Sequence, residues 1–289
     1  MLSSFQPYID CVVLDLRKDT WAWDDSYLPD LPTTLDTFGF EYIKKTHEIW
    51  VFGGWKSHAA PYTREVSTKN NSYYQILLIT NNYFQTYFWD FKSDRWENGP
   101  RLPDALSYID FSTTHYDKYI FVVFTTKIYW LDVEAKSSWL TKDIVIEPKG
   151  FLRVVGFVGN FYGYPAILAI GGARPNEAAE LWSTSGNILL LEDLSSADGI
   201  SVHQLRDFGL GHFKKGKIQK VNDEVFIIQG YPTNRPGTAG KDILIWNYQE
   251  GRPELRGQYS EWRTEPNAVV VSGKYFRSCL EDNIRKLTF

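Results

Sequence analysis

Cysteine is almost absent from this sequence. Cys11 and Cys279 are the only two in 289 residues, and they lie near opposite ends. Two thiols cannot build the disulfide framework of a small secreted domain, nor fill a structural zinc site. No apolar run approaches the roughly 20 residues that a membrane-spanning helix needs. The start, Met1-Leu2-Ser3-Ser4-Phe5-Gln6, lacks the basic region and apolar stretch of a secretory leader. A positive field is lacking too: 31 Lys and Arg face 35 Asp and Glu, for a net charge of −4. That balance argues against nucleic acid or a membrane surface as partner. The expected location is cytoplasmic. Asn70-Asn71-Ser72 is a glycosylation sequon, a short pattern that arises easily by chance.

Aromatic residues are abundant instead, with 11 Trp, 18 Tyr and 18 Phe making 16% of the chain. Rings of this kind pack well on a pleated surface, so the composition favours strands. The apolar runs repeat. Ile49-Trp50-Val51-Phe52 ends in Gly53-Gly54, and Ile167-Leu168-Ala169-Ile170 ends in Gly171-Gly172. Val225-Phe226-Ile227-Ile228-Gln229-Gly230 is a degenerate copy, and Ile120 to Thr126 is another that has lost both glycines. Runs of four to six apolar residues suit strands buried on both faces. Each is preceded by a second strand and a turn: 38–43 before 44–47, 109–115 before 116–118, 151–158 before 159–163, and 217–221 before 222–223. Asn, Asp and Gly in these turns match the demands of tight reversals.

A second unit places an acidic residue after an apolar strand and a tryptophan further on. Asp15 leads to Trp21 and Asp90 to Trp96, six residues on in both cases, and Asp132 leads to Trp139, seven on. Asp242 to Trp246 opens a looser copy that ends at Trp262, and Asn187 to Asp193 is another, with no tryptophan. The carboxylate can accept from turn amides, and the indole can fill space between packed sheets. Proline-rich exits follow: Leu28-Pro29-Asp30-Leu31-Pro32 and Gly99-Pro100-Arg101-Leu102-Pro103.

Paired glycines after a second strand, an aromatic third strand, a turn and a tryptophan on a fourth strand resemble the kelch repeat. The resemblance covers nearly the whole chain, although only two true glycine pairs survive and the spacing varies. Trp21 to Trp96 is 75 residues and Trp96 to Trp139 is 43, against about 50 in kelch. It implies an all-β fold, a kelch-like β-propeller of about five blades, or six, each with four antiparallel strands. Residues 1–289 then form one propeller domain, shortened or partial beside family members of six or seven blades. The competing fold is an all-β sandwich, which has no reason to repeat half-motifs in order.

Catalytic and metal chemistry has little to stand on. The five histidines, His47, His58, His115, His203 and His212, show no metal-ligand spacing. Copper-radical oxidases share a kelch-type propeller, but neither cysteine here matches their crosslinked motif. Sialidase Asp-boxes are absent. No cofactor or metal is expected.

A binding face is easier to place. In a four-stranded blade, the loop after the glycine pair and the loop joining consecutive blades emerge on one side. Those loops carry Trp55, Lys56, His58, Tyr62 and Arg64, then Arg174, then Tyr231 and Arg235, with Arg101 and Arg263 between blades. Arginine forks suit carboxylates, and exposed rings supply anchoring area. The candidate partner-binding residues are Trp55, Arg64, Arg101, Arg174, Tyr231 and Arg235. They indicate a non-catalytic scaffold for a protein or peptide, acidic in character. The alternative is a propeller-class enzyme, an oxidase or a sugar-processing enzyme, with its site at the central channel.

The termini suggest how a ring closes. The chain opens on a third strand around Cys11 to Asp15. It finishes with 268–271, a turn at 272–274 and Tyr275-Phe276, a first and second strand. One blade is therefore expected to be shared by the two termini, with the Cα atoms of Cys11 and Cys279 within roughly 15 Å, given the 4.8 Å spacing of neighbouring strands. Removing residues 268–289 is predicted to expose two sheet edges and cause aggregation, measured by size-exclusion chromatography. A soluble truncation that unfolds cooperatively overturns this closure.

Overall fold

A computed structural model describes residues 13–14, 23–24, 29–32, 39–52, 86–104, 111–124, 126–146, 154–170, 186–205, 216–229, 242–247 and 252–258. Among them are eighteen strands and no helix, hence none long and apolar enough to cross a membrane. Strands β1 (Val13–Leu14) and β2 (Trp23–Asp24) pair as a two-stranded sheet. Four antiparallel sheets of four strands follow, each paired in chain order. The first is β3 (Gly39–Ile43), β4 (Glu48–Phe52), β5 (Thr86–Asp90) and β6 (Arg95–Asn98). The second is β7 (Ser112–Tyr116), β8 (Tyr119–Val123), β9 (Lys127–Asp132) and β10 (Leu140–Asp143). The third is β11 (Val154–Phe161), β12 (Tyr164–Ile170), β13 (Gly186–Asp193) and β14 (Gly199–Leu205). The fourth is β15 (Gly216–Val221), β16 (Glu224–Gln229), β17 (Asp242–Asn247) and β18 (Arg252–Gln258).

The first strands sit together. β3 packs beside β7, β7 beside β11 and β11 beside β15, so the four sheets fan out around a common axis. Between neighbouring sheets lie separate cores, and alternation along each second strand feeds two of them. Ile120 and Val122 of β8 face the preceding sheet, against Trp50, Phe88 and Leu102. Phe121 and Val123 face the following one, against Ile167, Ala169 and Leu189. Likewise Ile167 and Ala169 of β12 face back, whereas Ala166, Leu168 and Ile170 face Ile218, Val225 and Trp246 of the fourth sheet. This two-sided burial is why these strands read as unbroken apolar runs. Gly156 permits the closest approach: a Cβ there would lie 2.4 Å from Cβ of Ile218 and 2.8 Å from its carbonyl oxygen.

The acidic residues act as the sequence suggests. Asp90 Oδ1 accepts the Lys92 amide at 2.8 Å. Asp132 Oδ1 accepts the amides of Glu134 at 3.0 Å and Ala135 at 3.2 Å, and Asp193 Oδ1 accepts that of Ser195 at 3.0 Å. Two of these turns close alike, with Asp94 and Lys136 at positive φ (54° and 47°) donating back to the carbonyls of Asp90 and Asp132.

The tryptophans latch each sheet to the preceding exit. Trp96 Nε1 donates to the Pro29 carbonyl and Trp139 Nε1 to the Pro100 carbonyl, each at 3.0 Å. Two residues on, Leu31 and Leu102 enter the adjoining cores. Trp139 is buried at 6% exposure, but Trp96 is only half-buried, packed against a small cluster of Leu31, Ile49 and Val51. The expectation that these indoles fill space between packed sheets holds in full for Trp139 and only in part for Trp96. The proposed third member, Trp21, lies outside the described residues, as do Cys11, Cys279 and the C-terminal strands of the shared blade.

One turn also differs from expectation. The segment 159–163 was read as the reversal, yet β11 continues to Phe161 and only Tyr162 and Gly163 turn, both at positive φ (51° and 87°) as a type I′ hairpin requires. Gly159, at φ 102°, lies within the strand beside a bulge that leaves Val158 without a partner opposite.

A buried charge joins the first two sheets. Glu48, 4% exposed, receives Lys136 Nζ at 2.5 Å, Trp50 Nε1 at 3.0 Å and Thr46 Oγ1 at 2.9 Å. The Lys136 ammonium also lies 3.8 Å from the Phe88 ring centroid, within cation–π range.

Two predictions follow from these contacts. Trp139→Ala is expected to cost about 3–5 kcal/mol of stability in urea denaturation, because a large cavity opens between sheets. The same change at half-buried Trp96 should cost less, and equal losses would contradict the difference in burial. The second concerns acid. Turn amides hold the Asp90 carboxyl below its ordinary range. Burial pushes Asp132 upward, but Lys118 and the turn amides outweigh it and hold it low. The Ser195 hydroxyl and amide lower Asp193. Groups lowered in the folded state contribute stability above the unfolded carboxyl value of about 3.9, and lose it as pH falls through their folded values. The urea midpoint should therefore fall between pH 6 and pH 3, and less steeply in Asp132→Asn than in the parent chain.

Candidate functional site

The first strands line a cavity of about 350 Å³ at the axis, bounded by Glu41 of β3, Thr114 and His115 of β7, Phe157 of β11, Lys217 to Lys220 of β15, and Asn222. Side chains on an innermost strand that do not enter an inter-sheet core have only this space to occupy. The cavity runs along these strands, from Lys217, the second residue of β15, past Glu41 and Phe157 in mid-strand, to Asn222 in the β15–β16 turn.

Glu41 is the buried carboxylate of this site, 6% exposed. Its Oε1 accepts from Thr113 Oγ1 at 2.8 Å, and its Oε2 lies 2.8 Å from Nδ1 of His115. Both oxygens are thus engaged across the β3–β7 boundary. His115 is half-exposed, so its second ring nitrogen can reach solvent or a ligand. Thr114 accepts the Phe157 amide at 3.1 Å, which ties β7 to β11. On β15, Lys220 Nζ donates to the Asn222 carbonyl. Lys217 has no hydrogen-bond or ion-pair partner among the described residues.

Other lysines, in the turns after β3 and β7, are paired. Lys45 meets Asp117 at 3.1 Å and Glu134 at 3.6 Å, and Lys118 meets Asp132 at 2.7 Å and Glu134 at 3.3 Å. The Lys45 pairs link the turns of the first two four-stranded sheets, and the Lys118 pairs join turns within the second. Among the described residues, no group of three His, Cys, Asp or Glu side chains is placed to hold a metal.

Of the six residues singled out in the sequence, only Arg101 is described. It is exposed, on the exit after β6. That exit lies level with the start of β3, because Gly99 donates to the Thr86 carbonyl, Thr86 pairs with Phe52, and Phe52 with Gly39. Trp55, Arg64, Arg174, Tyr231 and Arg235 lie outside the described residues.

No family model matches the sequence, and no curated protein does. Solved structures do. YjhT superposes with a TM-score of 0.58 over 89% of this chain and 80% of its own, at 13% identity. A fungal alcohol oxidase of the AA5 family, in complex with copper, superposes with a TM-score of 0.53 over 88% of this chain, at 12% identity. This chain spans 50% of that oxidase. The fold is a β-propeller. Each four-stranded sheet is a blade, and β1 and β2 form a further two-stranded sheet. At these identities the likeness carries the fold alone.

The sequence passed over the channel residues. In sequence, His115 ends the predicted strand 109–115 and shows no metal-ligand spacing, and Glu41 and Lys217 fall within predicted strands 38–43 and 217–221. The available signal was positional: all three fall on first strands, where a polar side chain that avoids the inter-blade cores meets the axis.

Proposed function

We propose that this chain is a non-catalytic interaction module of kelch type, a single propeller domain acting in the cytoplasm, that binds an acidic protein or peptide on the face carrying its inter-blade loops. The observation that carries this reading is the mounting of Arg101. Pro100 on one side is held through its carbonyl by Trp139, and Leu102 on the other is 2% exposed in the inter-blade core. The arginine is exposed between two anchored neighbours, so little backbone freedom is lost when a ligand binds. Its guanidinium suits a carboxylate fork. The preceding exit repeats the frame with Asp30 between Pro29 and Leu31. A constant frame with a variable outward residue is what selective recognition uses. Arg64, Arg174 and Arg235, with Trp55 and Tyr231, belong to the same proposed face.

A second reading is favoured by one observation, the contact of buried Glu41 with His115 in a polar channel. A carboxylate and an imidazole in hydrogen-bond reach can move a proton. The chain would then be a propeller-class enzyme, an oxidase or a sugar-processing enzyme.

The test is affinity capture from source cells with the parent chain, Arg101→Ala and an Arg64/Arg174/Arg235 triple alanine variant, with partners identified by mass spectrometry. The expected result is a set of proteins with acidic segments, held by the parent and lost by both variants. Identical capture by all three rejects the rim. If Glu41→Gln leaves capture intact but abolishes turnover of a sugar or alcohol by the chain, the enzyme reading replaces it.

A further inference from the structure

The channel runs along the first strands, and its chemistry differs from that of the rim. We infer that the channel is a separate binding site for a small oxyanion, a carboxylate or phosphate, held by the ammonium groups of Lys217 and Lys220.

The argument begins with charge already committed. Lys45 and Lys118, in the turns after β3 and β7, are matched by Asp117, Asp132 and Glu134, and Lys136 by Glu48. The one carboxylate lining the cavity, Glu41, is 7% exposed at its side chain and has both oxygens occupied by Thr113 and His115. It cannot also neutralise the lysines of β15. Lys217 is left without a partner among the described residues. Lys220 spends one donor on the Asn222 carbonyl and sits 4.0 Å from Asp223, a fully exposed side chain in high dielectric. Two of its three donors remain.

Two lysines three residues apart on a strand would place their side chains on opposite faces of a regular sheet. Both nevertheless border this cavity, Lys217 from within β15 and Lys220 from its end beside the turn. Uncharged donors complete the lining: the Gln219 amide, which gives one proton to the Lys220 carbonyl at 3.4 Å and keeps the other, and the Thr114 hydroxyl, whose lone pair is taken by the Phe157 amide while its proton stays available. Phe157 supplies an apolar wall, and its ring stacks on Tyr116 at 4.6 Å between centroids. About 350 Å³ admits a small molecule but no folded segment.

Calorimetric titration of the full chain at low ionic strength tests this, with inorganic phosphate and succinate as probes and glucose as the uncharged control. The expected result is one-to-one binding of phosphate or succinate and none of glucose, and whichever anion binds identifies the class. Lys217→Met should weaken that binding about tenfold, the scale of one charged hydrogen bond, and Lys217→Arg should retain it. Lys142→Met removes the same charge from β10, far from the cavity, and should leave affinity as in the parent. The inference is overturned if neither anion binds, if Lys217→Met binds as the parent does, or if Lys142→Met loses as much. Loss of partner capture by the arginine variants is a separate readout, so either site can fail alone.

Discussion

A sheet that is apolar on both faces cannot stand alone in water, and the rest of this structure depends on that constraint. β8 and β12 are each buried on two sides, so every complete blade needs a neighbour before it and another behind it. Packing around an axis meets this demand, because each core is shared and no face is left over. The blades converge where they are narrowest, at the first strands, and the limit of approach is set there. Between β11 and β15 the backbones come so close that Gly156 leaves no space for a methyl group beside Ile218.

Polar groups must then go where the cores do not reach. Strand ends take the three aspartates, whose turn amides need acceptors. Exits take the proline carbonyls that receive Trp96 and Trp139. Among the described residues two carboxylates are buried, and they are treated differently. Glu48 lies between blades with an ammonium, an indole and a hydroxyl around it, and its charge is spent on joining them. A buried pair of this kind contributes little net stability, but leaving either partner alone is costly. Glu41 has instead a half-exposed imidazole, at the edge of a cavity. One carboxylate is sealed; the other borders space that a ligand can enter.

The repeat was legible because its physics is local. Unbroken apolar runs report two-sided burial, and an aspartate after such a run reports a turn. Thus β8 could be found although both its glycines are lost. The reversal after β11 was misplaced because Gly159 and Asn160 carry turn chemistry into a strand, where Gly159 serves a bulge instead. Trp96 and Trp139 look alike in sequence, yet their burial depends on what the preceding sheet offers, Leu31 and Val51 for one and a full core for the other. The contact of Glu41 with Thr113 and His115 spans more than seventy positions. No spacing rule could have suggested it, and only the ring geometry brings β3 beside β7.

The same geometry divides binding chemistry between the two ends of each first strand. At the end where chains pass from blade to blade, Arg101 is presented by an exit fixed through Pro100 and Leu102, and its outward residue can change without disturbing the latch. At the other end the turns are short, and their charges are largely consumed in pairs, Lys45 with the next blade and Lys118 within its own. On the function proposed above, a partner with a broad acidic surface binds at the first end. The second has little projecting surface to offer it, and Lys217 and Lys220 are among the residues that line the channel. A ligand there has to be small enough to enter and negative enough to displace water from Lys217. Because inter-blade packing fixes the distance between the two ends, occupancy of one has no packed element to shift at the other, and the two sites are expected to act independently.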